Sequence, residues 1–262
     1  MDWLLFLVVG AFAGLLAGLF GVGGGAIIVP ILIFIFTLQG FDAGSLVHLA
    51  IGTSFATIVV TSCGSVAAHQ RLGNINWPVV KAMTPGLVVG VSLGALTAAE
   101  LAGGYLQLAI AIFLMLVAVQ MFLALQPKAI FGLPGHVTLA GSGVVVGGLS
   151  AFFGIGGGSL TVPFLTACRE VMKRAVATSA ACGLPIALFG ALTYAFKGLS
   201  VEGLPSLTTG YIYWPAFIGI VIASVPCSRM GAMLASKAPE RVLKRGFALL
   251  LFLIGLQLLL TH

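Results

Sequence analysis

With 60% hydrophobic and only 7% charged residues over 262 positions, the chain has too little polar surface to cover a soluble globule. The long apolar runs lack the period-two alternation of a barrel strand, so the expected fold is an all-α polytopic membrane protein whose solvent is the lipid bilayer. The formal net charge of +6 is spread in short basic clusters between apolar runs rather than along one face, which excludes a nucleic-acid partner.

The first apolar run extends from Trp3 to about Phe20. No signal peptide is expected, because Met1-Asp2-Trp3-Leu4 has no basic n-region and no cleavage site follows. A glycine cluster, Gly21, Gly23, Gly24 and Gly25, separates this run from a second, Ala26 to Leu38. The 36 residues from Trp3 to Leu38 make ~54 Å of helix, short of the ~60 Å that two full spans need. The glycine turn is therefore expected to be recessed, facing protein or a wet cavity. A third run, Ser45 to Ala68, ends at His69-Gln70-Arg71. Trp77-Pro78 opens a fourth, with Pro at the first helical position, that continues to about Ala99 through a kink at Thr84-Pro85-Gly86. Tyr105 to Leu125 is the fifth.

Residues 126–136, with Lys128 and Pro134, link this half (1–125) to a second (137–262) that repeats its order. Val137 to Phe153 leads to a second glycine cluster, then Ser159 to Ala167, about Lys173 to Phe196, Tyr211 to Ser236, and Arg241 to Leu260. The stretch Gly21-Val22-Gly23-Gly24-Gly25-Ala26-Ile27-Ile28-Val29-Pro30-Ile31-Leu32 returns 133 positions later as Gly154-Ile155-Gly156-Gly157-Gly158-Ser159-Leu160-Thr161-Val162-Pro163-Phe164-Leu165, identical at seven of twelve positions. Thr53-Ser54 is echoed by Thr178-Ser179, Trp77-Pro78 by Trp214-Pro215, and Gly94-Ala95 by Gly231-Ala232.

Five crossings per half is an odd number, so the second half is expected to be inverted with respect to the first. Counting alternate connections puts eleven of the twelve Lys and Arg residues on one side and Lys197 alone on the other. By the positive-inside rule the first side is the cytoplasm, and both termini face outward. The first glycine tip then points towards the cytoplasm and the second towards the outside.

A glycine-rich turn permits positive φ, and the helix that follows leaves its first N–H groups free, so each tip is a candidate half-site for a small anion. The alternative is that the glycines only let helices pack closely. Thr53, Ser54, Thr178 and Ser179 fall near mid-membrane and either donate to such an anion or bond helix carbonyls. Arg229 lies about two turns inside its boundary, placed to pair with an anion or to snorkel to the surface. His48 and His69 suit capping or interfacial roles more than proton relay. The four cysteines lack CxxC spacing and suit packing. No metal or cofactor is expected.

The paired G-[VI]-G-G-G-x-x-x-V-P-x-L motifs, with their Thr-Ser and Trp-Pro landmarks, resemble the TauE/SafE sulfite exporter family, also called the toluene sulfonate uptake permease family. The resemblance covers nearly the whole chain. It implies secondary transport of small sulfur-containing anions, such as sulfite, sulfonates or sulfoacetate, across a bacterial inner membrane, with Gly21, Gly23, Gly24, Gly25 and Gly154, Gly156, Gly157, Gly158, Ser159 at the site. An anion channel and an uptake permease are the alternatives. A membrane enzyme is disfavoured, because the chain has no H-E-x-x-H, no C-x-x-C and no paired intramembrane aspartates.

Overall fold

The computed structural model describes residues 2–20, 25–123, 132–235 and 240–260. Gly21, Gly23 and Gly24 fall outside them, as do most of the linker and the side chain of Arg229. Ten helices are described: α1 (Asp2–Phe20), α2 (Gly25–Leu38), α3 (Ala43–Arg71), α4 (Trp77–Ala98), α5 (Gly103–Phe122), α6 (His136–Phe153), α7 (Gly158–Ala167), α8 (Met172–Gly198), α9 (Trp214–Ala235) and α10 (Glu240–Leu260). Five of these, α3, α4, α5, α6 and α8, are long and apolar enough to cross a membrane. The all-α polytopic membrane fold follows, and the helix bounds match the apolar runs closely.

Local chemistry sets the ends. Asp42 caps α3, its carboxylate accepting from the Ser45 N–H at 3.1 Å, so the helix starts before the apolar run does. Pro78 occupies the first turn of α4, where its missing N–H costs nothing. Gly154 ends α6 in the left-handed region at φ 63°, and Gly157 opens α7 at φ 76°. A two-residue hairpin, Thr208–Thr209 with Ile212–Tyr213, precedes α9 and was not expected from the sequence.

Glycine decides which helices pair. The most extensive contacts are α1 with α9 and α4 with α6. Gly86, Gly90 and Gly94 of α4 lie directly against Ala140, Val144 and Gly148 of α6, while Gly143 and Gly147 of α6 meet the carbonyls of Met83 and Leu87. Gly10 and Gly14 of α1 meet Ile220 and Ser224 of α9. Both pairs run parallel, since residue numbers rise together along each. With no hydrophobic drive between helices in lipid, such close backbone approach is what holds them. α3 and α8 run antiparallel, with Gly52 by Tyr194, Phe55 by Gly190 and Ser62 by Gly183. So do α5 and α10, with Gln107 donating to the Leu258 carbonyl and Gly255 beside Ala111.

α3 and α8 form the core, and α3 is buried from Ser45 to Ile58. Apolar side chains such as Leu116 and Phe122 of α5 or Leu253 and Leu260 of α10 are exposed, as a lipid-facing surface requires. Polar pairs join the halves at both ends. At one, the Asn76 amide donates to Glu170 at 2.6 Å beside Arg174. At the other, Lys197 donates to Glu100 at 2.8 Å, and this bond and charge hold the Glu100 carboxyl below its usual range. Of the four free cysteines, Cys168 and Cys182 are buried as packing thiols would be, whereas Cys63 is exposed and Cys227 half-buried.

Candidate functional site

The second glycine tip lies against the middle of both core helices. The Ser54 hydroxyl donates to the Gly154 carbonyl at 3.0 Å, and the Gly156 carbonyl presses on Gly183 of α8. The start of α2 reaches the same point: a Cβ on Gly25 would stand 2.8 Å from the Gly154 oxygen and 2.7 Å from Ile58. Backbone irregularity at mid-bundle is thus covered by protein on several sides, and the first helix after one tip touches the other tip. Gly25 and Gly154 are brought together; Gly21, Gly23 and Gly24 lie outside the described residues.

The echoed hydroxyls follow one pattern twice. Thr53 accepts the N–H of Tyr213 at 3.0 Å, and Thr178 accepts the N–H of Asn76 at 3.0 Å. Tyr213 and Asn76 are the residues before the two Trp-Pro pairs, and each bond crosses from one half of the chain to the other. The indoles match as well, Trp77 donating to Gln70 and Trp214 to Thr209. In this arrangement Thr53 and Thr178 fasten the halves and keep their O–H protons for another acceptor. Ser54 has committed its proton to the tip. Ser54→Ala is expected to lower stability by about 1 to 2 kcal/mol by leaving the buried Gly154 carbonyl without its donor; a thermal melt in detergent checks it.

Ser179 is buried and its hydroxyl has no partner among the described residues. The same holds for the hydroxyls of Ser150, Ser159 and Thr161. Around them the chain turns on Gly157, whose φ of 76° suits glycine, and α7 begins with Leu160 and Thr161 both donating to the Gly157 carbonyl. The N–H groups of Gly158 and Ser159 find no backbone acceptor among the described residues. Such a helix start, inside a bundle, offers unpaired donors and a partial positive charge of about half a unit.

Ser150 and Thr161 were missed from the sequence, although a signal was present. In the first copy of the repeat the positions matching Ser150, Ser159 and Thr161 are Ala17, Ala26 and Ile28. One copy carries hydroxyls where the other carries apolar residues. His48, by contrast, is structural: its Nε2 lies 3.2 Å from the Ala98 carbonyl and its ring stacks on Tyr211, tying α3 to the end of α4.

The family described as sulfite exporter TauE/SafE matches residues 6–258. A "Probable membrane transporter protein" of Haemophilus influenzae is 37% identical over 259 residues, covering 98% of both chains. One of Methanocaldococcus jannaschii is 32% identical over 266 residues, covering 98% of this chain and 95% of its own. A third, YunE of Bacillus subtilis, is 25% identical over 279 residues, covering 99% and 98%. No solved structure matches the chain. A glycine motif twice repeated, a bundle assembled through glycine contacts and an end-to-end match agree: the chain belongs to the TauE/SafE sulfite exporter family and is a multi-pass membrane protein of the transporter type.

Proposed function

We propose that the protein is a secondary carrier for small sulfur-containing anions, such as sulfite, sulfonates or sulfoacetate, exporting them by alternating access with the substrate held between the two glycine tips. The observation that carries this reading is the second tip itself: unpaired N–H groups at the start of α7 and buried hydroxyls without partners, at mid-bundle and touching the start of α2. A neutral lining of donors at a helix N-terminus suits an anion. Thermal-shift and titration measurements on purified protein with sulfite, sulfate, taurine, sulfoacetate and matched carboxylates test it. Stabilisation by carboxylates alone, or by no anion, would defeat it.

Residues 1–125 and 137–262 act as two inverted repeats in this reading. Helix directions support it: exchanging α1 with α6, α3 with α8, α4 with α9 and α5 with α10 carries the α1–α9 pair onto α4–α6 and leaves α3–α8 and α5–α10 in place. An odd number of segments per half makes the first two pairs parallel and the last two antiparallel, as observed. The contacts also sort the described basic residues. Arg71, Lys81, Arg169, Lys173, Arg174 and Arg245 gather at the end where Asn76 meets Glu170 and Arg245 lies over Phe122, and Lys197 lies at the other. The crowded end is then cytoplasmic in a bacterial inner membrane, and both termini are outside. A reporter fused after His262 is expected to be active only when it reads an extracytoplasmic position; a cytoplasmic signal would reverse the assignment.

A further inference from the structure

Hydroxyl side chains in these helices mostly bond a carbonyl three or four residues back, as Thr37, Thr61, Thr84, Thr166 and Thr193 do. Ser150 and Thr161 do not, although both are fully buried at 0% exposure. Burying a hydroxyl without a partner is unfavourable, so two such groups at one spot mark a place where something else completes the bonds. That spot is the glycine turn. A Cβ built on Gly157 would stand 3.3 Å from Oγ1 of Thr161 and 4.0 Å from Oγ of Ser150, so both oxygens are directed at the point where α7 begins. Ser159, one residue into that helix, adds a third buried and unpartnered oxygen. The free N–H groups of Gly158 and Ser159 lie at the same end.

Resting on the carrier reading above, we infer that this turn is the oxyanion subsite, that Ser150 and Thr161 bind the anion together with Ser159, and that the anion bound carries a single charge, which narrows the candidates to bisulfite and monosulfonates and removes the dianionic forms of sulfite and sulfoacetate. The sign comes first. Hydroxyl oxygens can also coordinate a cation, but the positive end of α7 repels one and attracts an anion. The magnitude of the charge comes next. The described Lys and Arg side chains lie on helix ends and connecting turns, so among the described residues the tip opposes the anion with about half a unit of helix charge and neutral donors. In a continuum description desolvation rises with the square of the charge, about fourfold from a monoanion to a dianion, while attraction to fixed dipoles only doubles. A dianion is therefore disfavoured relative to a monoanion of similar size. The first copy of the repeat, with Ala26 and Ile28 at the matching positions, supplies no hydroxyls there, so the charged head sits at the second tip and the remainder of the substrate faces Gly25 and Ile58.

Calorimetric titration of the purified full-length protein with methanesulfonate and with sulfate tests this. Methanesulfonate is expected to bind, and sulfate, with similar oxygens and twice the charge, to bind at least about tenfold more weakly. Ser150→Ala and Thr161→Val are each expected to weaken methanesulfonate about tenfold while the Tm of the empty protein stays unchanged or rises, because each removes an unmet polar group. Wild-type affinity in both hydroxyl variants would overturn the subsite and leave the carrier reading standing. A lowered Tm with unchanged affinity would do the same and assign the hydroxyls to structure. Sulfate binding as tightly as methanesulfonate would overturn the single-charge assignment, and absence of any anion binding to the wild type would overturn both readings.

Discussion

Gly157→Ala is expected to abolish anion transport while lowering stability by only about 1 to 2 kcal/mol. The stability term is the cost of a side chain in the left-handed region, where Gly157 sits at φ 76°. The functional term is steric. The new methyl would stand 2.6 Å from Cδ1 of Ile186, which can swing aside, and 3.3 Å from the Thr161 hydroxyl, filling the space in front of the α7 N-terminus. A small added group in a cradle of backbone amides removes the approach distance that those amides need. Uptake of labelled sulfite by proteoliposomes, with a melt of the same preparation, separates the two terms. Full transport would place the anion elsewhere. Gly141→Ala, where an added Cβ meets nothing within 4 Å, is the matched control and is expected to behave as wild type.

The largest expected effect on folding comes from Gly90→Leu. A Cβ at Gly90 would overlap the Val144 carbonyl of α6, a backbone atom that cannot rotate away, and Gly86 and Gly94 stand one turn to either side against the same helix. Relief would require α4 and α6 to separate along their length, removing the close packing that replaces hydrophobic drive in lipid. A loss of about 3 kcal/mol or more is expected, at or beyond the upper end for overpacking. The measure is the yield of monodisperse protein after detergent extraction and its melting temperature. Gly64→Leu, at an open position on α3, is expected to change neither.

The helices were legible because length and apolarity settle them in a membrane, where backbone groups must bond within the segment. Even the short α2 and α7 were found, since the glycine clusters mark their starts and Pro30 and Pro163 repeat at the same depth. The hairpin before α9 was not legible: its strands are two residues each, and its turns rest on Leu207 and Gly210 at positive φ, one of which has no turn-forming side chain. The pairing of helices was also hidden. Glycines spaced four apart on α4 announce a close neighbour but do not say that it is α6.

At the site, the echoed Thr-Ser pairs were found by repetition, which is blind to role. Thr53 and Thr178 bond the residues before the opposite Trp-Pro, a relation between positions more than a hundred residues apart that no local pattern encodes. Ser150 and Thr161 escaped for the opposite reason. They mark where the two copies differ, and attention to identity passes over difference.

The exchange of partners has a consequence for biogenesis. α1 finds its closest neighbour in α9 and α4 finds its in α6, so each glycine-lined face of the first half is completed by a helix that the ribosome makes later. Once residues 1–125 have left the translocon, the grooves on α1 and α4 are open to lipid, and Thr53 has yet to meet its Tyr213 donor. The first half is therefore expected to keep both grooves incomplete in the membrane until α6 and then α9 are made and close them in turn.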